Sequence, residues 1–432
     1  MKIRRALISV YDKSNLEHFV RSLQALEVEV VATAGTAEHL KQSGILVTDV
    51  ATYTGSPELY DGTIKTLHPR IHGALAAADT PADQAELAAI GGGPIDVVAV
   101  NLAPLVFQDD LGLDNVLRQV DLGGPSLLRS AACNYARVLV ITDPEDYGRV
   151  LKQYLDYQRV PDPMRRRYAI KAMAMLARYD AALGREVTSY DEDGERLATP
   201  ELMSFLVDRV TDLPMGDNAQ QSATMYAEPI TPEGTLPQAI LYGTGDGEVP
   251  TVQQLRDAAV ALDLLAELPP PAVTIFARRR PIVTVTAKTL AAAVELAVQS
   301  AGPQLSSGLI ATNVQIDPQS ASAFRDGPID CVVAPAIHAD ALEILQAREG
   351  LCILAMRAML PAARPGYELL QIPFGLVVEQ RDGPSEGEVA RGKVLSQRQP
   401  TQEELVALDF AWKVAKYSRS DAVVIARTDN TG

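Results

Sequence analysis

The chain has 432 residues, 47% of them hydrophobic, and a formal net charge of −16 at pH 7. This length predicts two or three domains, and the negative charge argues against nucleic acid as a partner. No apolar run reaches the roughly 20 residues of a membrane span, and residues 1–5 lead straight into a strand, so neither a membrane segment nor a signal peptide is expected. The cysteines at 133, 331 and 352 have no paired spacing and favour a reducing, cytoplasmic compartment.

Strands and helices alternate over residues 1–155. The apolar run at 7–10 is followed by a polar loop, after which Ser14 or Asn15 could cap a helix that starts near Leu16. The alternation predicts a parallel, doubly wound sheet with ligands beyond the carboxyl ends of its strands. Further strands are predicted at 28–31, 95–100 and 137–141, and further helices at 115–120, 127–133, 165–182 and 200–206.

A turn of small residues around Gly35 follows the second predicted strand and opens a helix. The start of a helix presents unpaired N–H groups and the positive end of the helix dipole, and small residues let an anion approach. Lys13, after the first strand, could add a positive charge. The predicted site for a phosphorylated small molecule consists of Lys13, Thr33, Gly35, Thr36, Lys65 and Thr66.

The densest polar stretch, residues 61–73, contains Lys65, Thr66, His68 and His72 around a proline turn. Such a stretch is poor core material. It is interpreted either as a loop that satisfies its own backbone or, beside the small-residue turn, as part of the ligand site.

A carboxylate stands before paired glycines at the next helix start, in Asp121-Leu122-Gly123-Gly124. It is suited to orienting a ligand, and a simple helix cap is an equal alternative. Asn101 ends the preceding predicted strand, so its loop is expected at the same edge of the sheet.

The polar segment at 190–195 predicts a linker between two domains. Basic triplets lie at 165–167 and 278–280. The first is interpreted as a solvated helix face, whereas the second could bind an anion or pair with acidic neighbours. The histidine and cysteine spacing of zinc deaminases is absent from the sequence, so no metal site is expected.

Several motifs follow the order and spacing of one family. In the first half they are Ser9-Val10-Tyr11-Asp12-Lys13, Gly35-Thr36-Ala37, Lys65-Thr66-Leu67-His68-Pro69, Asn101-Leu102 with Pro104, and Asp121-Leu122-Gly123-Gly124. In the second half they are Val332-Val333-Ala334-Pro335, Arg364-Pro365-Gly366-Tyr367, Arg398-Gln399-Pro400-Thr401 and Phe410-Ala411-Trp412-Lys413-Val414. On these residues the chain resembles the bifunctional AICAR transformylase/IMP cyclohydrolase family over nearly its whole length.

The resemblance implies a methylglyoxal-synthase-like domain at 1–195 that closes formyl-AICAR to IMP without a cofactor. It implies cytidine-deaminase-like α/β units at 196–432 that transfer a formyl group from 10-formyltetrahydrofolate to AICAR. It also implies a homodimer formed through the second half, and a purine mononucleotide or its AICAR-type precursor as ligand. Lys65 and Asp121 would be catalytic. The implied binding residues are Lys13, Thr33, Gly35, Thr36, Thr66, Asn101, Gly123 and Gly124.

The first half departs from the family at five site positions. Ala103 replaces a tyrosine, Cys133 a lysine and Thr63 an arginine, and in the phosphate turn Ala32 replaces a serine and Ala34 a glycine. Each lost charge-assisted hydrogen bond is worth roughly 1.5–3 kcal/mol. We therefore expect the cyclohydrolase reaction to be weakened.

The second half departs further. Of one substrate motif only Gly216, Asn218 and Gln221 remain, and Ala277-Arg278 replaces the lysine–histidine pair that transfers the proton. Arginine stays protonated, so it cannot take over that role. The sequence stops before the family's last glycine-rich segment, and a shortened second domain is expected. Formyl transfer, and with it the use of 10-formyltetrahydrofolate, is expected to be lost.

Three functions stay open on the sequence. The chain is a weakened cyclohydrolase, a non-catalytic purine-nucleotide-binding or regulatory homologue, or a divergent enzyme that uses Arg278 and its neighbours as a new anion site. Retention of Lys65 and Asp121 favours the first two, and replacement at Ala103 and Cys133 favours the last two.

Overall fold

A computed structural model describes residues 3–60, 62–107, 112–229, 231–302, 305, 307–364, 366–418 and 421–428. Asp61 and Pro365, which belong to motifs named above, lie outside these ranges. The chain divides into two compact units, Met1–Leu206 and Val207–Gly432.

The first unit is built on a five-stranded sheet of order β3-β2-β1-β4-β5, in which every neighbouring pair is parallel. The strands are β1 Arg5–Val10, β2 Glu29–Ala32, β3 Thr48–Asp49, β4 Val97–Asn101 and β5 Leu139–Ile141. The helices are α1 Leu16–Ala25, α2 Ala34–Gln42, α3 Val50–Thr54, α4 Pro69–Ala76, α5 Pro81–Ala89, α6 Leu113–Arg118, α7 Gly123–Cys133, α8 Asp146–Tyr157 and α9 Asp162–Val187.

Both faces of this sheet are covered. Side chains alternate along a strand, so Ile8 of β1 joins a cluster with α1 and α8, while the neighbouring Leu7 joins a cluster with α4, α7 and α9. In the first cluster Phe19 and Tyr147 stack with their ring centroids 4.2 Å apart. The predicted parallel, doubly wound sheet is confirmed.

Two local predictions in this unit are only partly confirmed. Asn15 is the N-cap residue of α1, but its side chain makes no capping bond, and the Asp12 carboxylate accepts the Ser14 N–H at 2.9 Å. Arg166 and Arg167 lie on an exposed helix face, whereas the side chain of Arg165 is only 11% exposed and donates to the Tyr135 carbonyl at 3.0 Å.

The segment after α9 folds back along that helix. Residues 200–206 are not helical, contrary to the prediction. The Glu201 N–H donates to the Thr188 carbonyl at 3.1 Å, and the Ser204 hydroxyl donates to the Ala181 carbonyl at 3.1 Å. These bonds place residues 196–206 with the first unit, whereas the sequence analysis assigns them to the second domain.

The second unit is also α/β. A mixed six-stranded sheet has the order β10-β9-β11-β12-β13-β8, and two further sheets, β6-β7 and β14-β15, have two strands each. The strands are β6 Asp208–Leu213, β7 Ala223–Ala227, β8 Ile240–Leu241, β9 Ala272–Ala277, β10 Arg280–Thr286, β11 Leu309–Thr312, β12 Cys331–Ala334, β13 Cys352–Ala355, β14 Tyr367–Ile372 and β15 Gly375–Gln380. The helices are α10 Val252–Ala266, α11 Leu290–Ala301, α12 Pro318–Asp326, α13 Ala339–Gln346, α14 Glu388–Arg391 and α15 Gln402–Lys416, with short 3-10 turns at Leu236–Gln238 and Gly245–Gly247.

The six-stranded sheet separates two apolar cores. Val332 of β12 packs with α11, α12 and α13, and the next residue, Val333, packs with α10 and α15. None of the helices in the described residues combines the length and apolar content that crossing a bilayer requires.

Candidate functional site

The loops after β1, β2 and β4 meet at one edge of the first sheet. Val10 of β1 pairs with Asn101 of β4, and Ile8 pairs with Ala32 of β2, so the three strands end side by side. Because all of them are parallel, the residues that follow each strand emerge at the same edge, as predicted.

Two buried threonines fix the start of α2 against β1. Thr36 is 2% exposed, and its Oγ1 accepts the Val10 N–H at 3.2 Å. The Thr33 hydroxyl donates to Ser9 Oγ at 3.2 Å. The hydroxyls therefore position the helix, and a direct contact of either threonine with a ligand stays a prediction.

Gly35 lies inside α2 and not in a turn before it. The helix begins at Ala34, after Thr33 in an extended conformation, so the predicted position of the glycine turn is wrong by one or two residues. A Cβ built on Gly35 meets no heavy atom within 4 Å. The first turn of α2 is therefore open on this side, as the approach of an anion requires.

An acidic side chain already stands at the start of α2. The Ala34 N–H donates to Glu58 Oε1 at 3.3 Å. A carboxylate is stabilised there by the helix dipole, as a phosphate would be. A bound phosphate must therefore compete with Glu58, a residue that the sequence analysis did not single out.

Asn101 holds the loop that carries Lys13. Its Oδ1 accepts the N–H groups of Tyr11 and Asp12 at 2.7 and 2.8 Å, and its Nδ2 donates to the Asp12 carbonyl at 2.9 Å. The Lys13 ammonium donates to the Tyr11 carbonyl at 3.2 Å. With both ends of its amide engaged, Asn101 positions this loop.

Thr66 lies against the start of α7, and Lys65 precedes it in the chain. Thr66 is 1% exposed, and its hydroxyl is buried without a hydrogen-bond partner in the structure described. Lys65 is half-buried, and its ammonium has no ion-pair partner among the described residues. A Cβ on Gly123 would lie 2.5 Å from Thr66 Oγ1, so the glycine permits this approach. A buried hydroxyl without a partner is costly unless a ligand satisfies it.

Asp121 caps α7. Its Oδ1 accepts the N–H groups of Gly123 and Gly124 at 3.0 and 2.9 Å, and the Tyr179 hydroxyl accepts the Asp121 N–H at 2.9 Å. A Cβ on Gly124 would lie 2.6 Å from Leu102 Cδ2 and closer still to Asp121 Oδ2. The cap that the sequence left as an alternative is present, and a role in catalysis stays a prediction.

The two histidines of residues 61–73 contact other parts of the first unit. His68 Nδ1 accepts the Arg70 N–H at 3.1 Å and so caps α4. His72 Nδ1 lies 2.9 Å from Ser130 Oγ on α7, while its Nε2 is buried without a partner in the described structure. Burial lowers the pKa of His72 below its ordinary value of 6.5, so this imidazole is neutral at neutral pH.

Three positions of the first unit, 63, 103 and 133, lack the charged or phenolic side chain of the family, and they lie in different places. The Thr63 hydroxyl donates to the Tyr60 carbonyl at 2.7 Å, and Ala103 is exposed directly after Leu102. Cys133 is exposed at the far end of α7. At 1.5 Å per residue it is about 15 Å from the start of that helix, where Asp121 lies.

In the second unit the predicted remnants shape the loop between β6 and β7. The Gly216 N–H donates to the Gln221 carbonyl at 2.7 Å, and the Asn218 N–H donates to Gln221 Oε1 at 3.1 Å. These three residues are brought together, and the bonds between them fix the course of the loop.

Arg278 and Arg279 form the two-residue turn between β9 and β10. Their φ angles are 51° and 63°, a left-handed conformation that costs roughly 1–2 kcal/mol per residue other than glycine. Asp257 of α10, which is 4% exposed, accepts the Arg279 N–H at 2.6 Å and the Gln253 amide at 2.8 Å. Burial raises the pKa of Asp257, although these hydrogen bonds oppose the shift.

A cleft of about 490 Å³ opens beside this turn. Arg278 is exposed and does not line it, whereas Arg279 does. The residues that line the cleft are Met215, Gly216, Asp217, Thr251, Gln253, Arg256 and Arg279.

Comparison with known proteins assigns the family. The sequence model of the AICARFT/IMPCHase bienzyme matches residues 131–432, and that of the MGS-like domain matches residues 15–125. The chain belongs to the AICARFT/IMPCHase bienzyme family. The bifunctional purine biosynthesis protein PurH of Sorangium cellulosum (strain So ce56) is 38% identical over 98% of this chain and 82% of its own length. PurH of Bacillus subtilis (strain 168) is 32% identical over 100% of this chain and 83% of its own. A solved structure, "Crystal structure of ForH", is 35% identical and covers 42% of this chain and 97% of its own, with a TM-score of 0.39.

The cleft of the second unit is where three motifs of this bienzyme family meet. The stretches that align with them are residues 214–221, 252–254 and 277–281, and each contributes at least one residue to the lining. The region that the sequence analysis named for a second site thus borders this cleft. Arg279 lines it and Arg278 does not, and a functional role of either residue stays a prediction.

Glu58 and Asp257 are the two residues that sequence reasoning missed. Glu58 lies close to the recognised run 61–73, and its proximity to the start of α2 depends on the path of the loop between them. Asp257 lies four residues after Gln253 on α10, a spacing that places both on one helix face. That spacing was the one local signal that could have found it.

Proposed function

We propose that the first unit binds a purine mononucleotide or its AICAR-type precursor and closes formyl-AICAR to IMP. The observation that carries this proposal is the buried, unpartnered hydroxyl of Thr66 beside Lys65, Gly123 and the Asp121 carboxylate. The relatives that are bifunctional purine biosynthesis proteins support it. No cofactor is needed for this step.

The reaction is an intramolecular one. The carboxamide nitrogen attacks the formyl carbon, a C–N bond forms, and water leaves to complete the ring. Positioning supplies much of the acceleration of such a step. Lys65 would hold and polarise the formyl oxygen, and Asp121 would orient the attacking carboxamide nitrogen. The start of α2, together with Lys13, would hold the phosphate.

The purified full chain tests this proposal directly. We expect it to convert formyl-AICAR to IMP, followed by the absorbance of the product, and to bind IMP in a calorimetric titration. Absence of both turnover and binding at millimolar ligand would refute it.

A non-catalytic nucleotide-binding homologue is the second candidate. It is favoured by the Asp121 carboxylate, which is engaged as a helix cap, and by Glu58 on the predicted phosphate position. Binding of IMP without any turnover of formyl-AICAR would select this alternative.

We further propose that the second unit does not transfer formyl groups and does not use 10-formyltetrahydrofolate. Ala277 and Arg278 stand where the family carries its lysine and histidine, and Arg278 is held in a turn by its neighbours. A folate absorbance assay should show no AICAR-dependent turnover, and Arg278→His alone should not restore it. Turnover that survives purification and is abolished by changes at 277–281 would overturn this.

A cytoplasmic homodimer, formed through the second unit, completes the proposal. Every residue of β14 is exposed, including Leu369 and Leu370, and Phe374 at the hairpin tip is exposed as well. Such an apolar hairpin is suited to burial against a second chain. Cys331 on β12 and Cys352 on β13 lie opposite each other in the sheet, and both are buried free thiols. Free thiols at such close positions suit a reducing compartment. Light scattering of the full chain at micromolar concentration tests the dimer, and a monomer would refute it.

A further inference from the structure

The buried face of α9 carries a tyrosine that no step of the proposed reaction uses. Ala172, Leu176 and Tyr179 follow one another at helical spacing, and none of them is more than 9% exposed. Ala172 and Leu176 belong to the apolar core that α7 also enters, and α9 packs directly against α7. Tyr179 therefore brings a hydroxyl to the start of the helix that Asp121 caps.

The Tyr179 hydroxyl holds the main chain of Asp121. It accepts the Asp121 N–H at 2.9 Å, from a position 58 residues away in the sequence. Burial raises the pKa of Tyr179, so the group stays a hydroxyl well above neutral pH. This bond depends on the packing of α9 and not on the turn that contains Asp121.

The carboxylate of Asp121 is fixed from the other side. Its Oδ1 accepts the N–H groups of Gly123 and Gly124 and so ties the residue to α7. Its Oδ2 lies over Gly124 and accepts no hydrogen bond from the residues that the structure describes. Oδ2 is therefore the oxygen left to meet a substrate nitrogen, and its direction depends on two anchors, the cap and Tyr179.

We propose that Tyr179 is a positioning residue for ring closure, whose hydroxyl fixes Asp121 so that Oδ2 faces the attacking nitrogen. This inference rests on the proposed cyclohydrolase function of the first unit. A shift of a catalytic group by about one ångström can cost about 10²-fold in rate, so the anchor of Asp121 matters to the reaction. Tyr179 acts through Asp121 and not through a contact of its own with the substrate.

Tyr179→Phe removes the hydroxyl and keeps the ring. In steady-state conversion of formyl-AICAR to IMP by the full chain, we expect kcat to fall about tenfold, because a buried N–H loses its acceptor. KM should stay within about twofold, since the carboxylate acts in the transition state. The stoichiometry of IMP binding in a calorimetric titration gives the fraction of intact sites, so that kcat is expressed per folded site.

Two variants of the same helix are the controls. Tyr168 lies about 16 Å earlier on α9, and its buried hydroxyl has no hydrogen-bond partner in the part of the chain that the structure describes. Tyr168→Phe removes the same atom without breaking a bond and should leave kcat unchanged. Asp180→Asn breaks the exposed ion pair between Asp180 and Arg129 of α7, and it should also leave kcat unchanged.

Hydrogen exchange followed by mass spectrometry locates the effect without substrate. Tyr179→Phe should speed exchange of residues 119–124 about tenfold, whereas Tyr168→Phe and Asp180→Asn should not. Unchanged exchange at 119–124, faster exchange throughout the first unit, or a kcat equal to that of the unaltered chain would overturn the positioning role while the proposed function stands. An unaltered chain that forms no IMP would refute the proposed function itself, and the role of Tyr179 with it.

Discussion

The two candidate sites present different groups to a ligand. At the first, the start of α2, Gly35 leaves open space and Glu58 Oε1 accepts the Ala34 N–H. At the second, the cleft beside the β9–β10 turn, the lining includes the side chains of Arg256 and Arg279. Backbone groups are set by the fold and survive substitution, whereas a side-chain site changes with every replacement. Replaced side chains therefore leave the start of α2 in place, whereas they change the lining of the cleft.

The largest effect is expected at Lys65, which the first site retains together with Lys13. Lys65→Gln should lower the rate of IMP formation about 10²–10³-fold, because a charge aimed at the reacting oxygen is lost. Steady-state kinetics with formyl-AICAR measure it. Lys41→Gln, an exposed lysine at the end of α2, is the control and should leave the rate unchanged. Equal rates for the two variants would show that Lys65 takes no part in the reaction.

Gly124→Ala tests whether the first site depends on a close backbone approach. The new Cβ would lie 2.6 Å from Leu102 Cδ2 and still closer to Asp121 Oδ2. We expect a loss of about 1–3 kcal/mol in unfolding free energy from this overpacking, together with weaker IMP binding. Denaturant unfolding of the full chain measures the loss.

Gly148→Ala is the matched control for that change. Gly148 lies within α8, and a Cβ there meets no heavy atom within 4 Å. Alanine should therefore stabilise the helix by about 0.5–1 kcal/mol. Two glycine variants with shifts of the same sign would contradict the packing argument at Gly124.

The sequence predicted regular secondary structure better than it predicted tertiary contacts. The alternation of apolar runs predicted the parallel sheet. The motif at Asp121 lies beside Leu102, directly after β4, and its role as a site stays a prediction. Glu58 reaches α2 through the path of a loop, a tertiary contact with no local pattern. Likewise, which of Arg278 and Arg279 lines the cleft depends on the left-handed backbone conformation of their turn. Asp257 holds that turn by accepting the Arg279 N–H.

Glu58→Gln sharpens the comparison, since the Glu58 carboxylate stands at the start of α2, the proposed phosphate position. Removal of the charge from the start of α2 should tighten IMP binding by about two- to fivefold, the range of a charge at a helix end. Titration in an Arg279→Gln background keeps the second site out of the measurement. Glu38→Gln removes the same charge from the exposed face of α2 and should have no effect. Unchanged affinity for Glu58→Gln would place the phosphate elsewhere.

The smallest effect concerns His72, which links residues 61–73 to α7 through Ser130. Burial lowers its pKa in the folded chain below the ordinary value of 6.5. The unfolded chain therefore binds the proton first, and the stability that His72 contributes is present above pH 6.5 and lost as the pH falls through the folded pKa. Each pH unit between the two pKa values corresponds to about 1.4 kcal/mol.

His72→Gln removes this titration and keeps a side chain that can bond to Ser130. The unfolding free energy of the unaltered chain should fall more steeply than that of His72→Gln between about pH 7.5 and about pH 5.5. His18→Gln, at an exposed position of α1, should follow the unaltered chain. If His72→Gln keeps the full pH dependence, the pKa of His72 is the same in the folded and the unfolded chain, and burial against α7 does not disfavour its charged form.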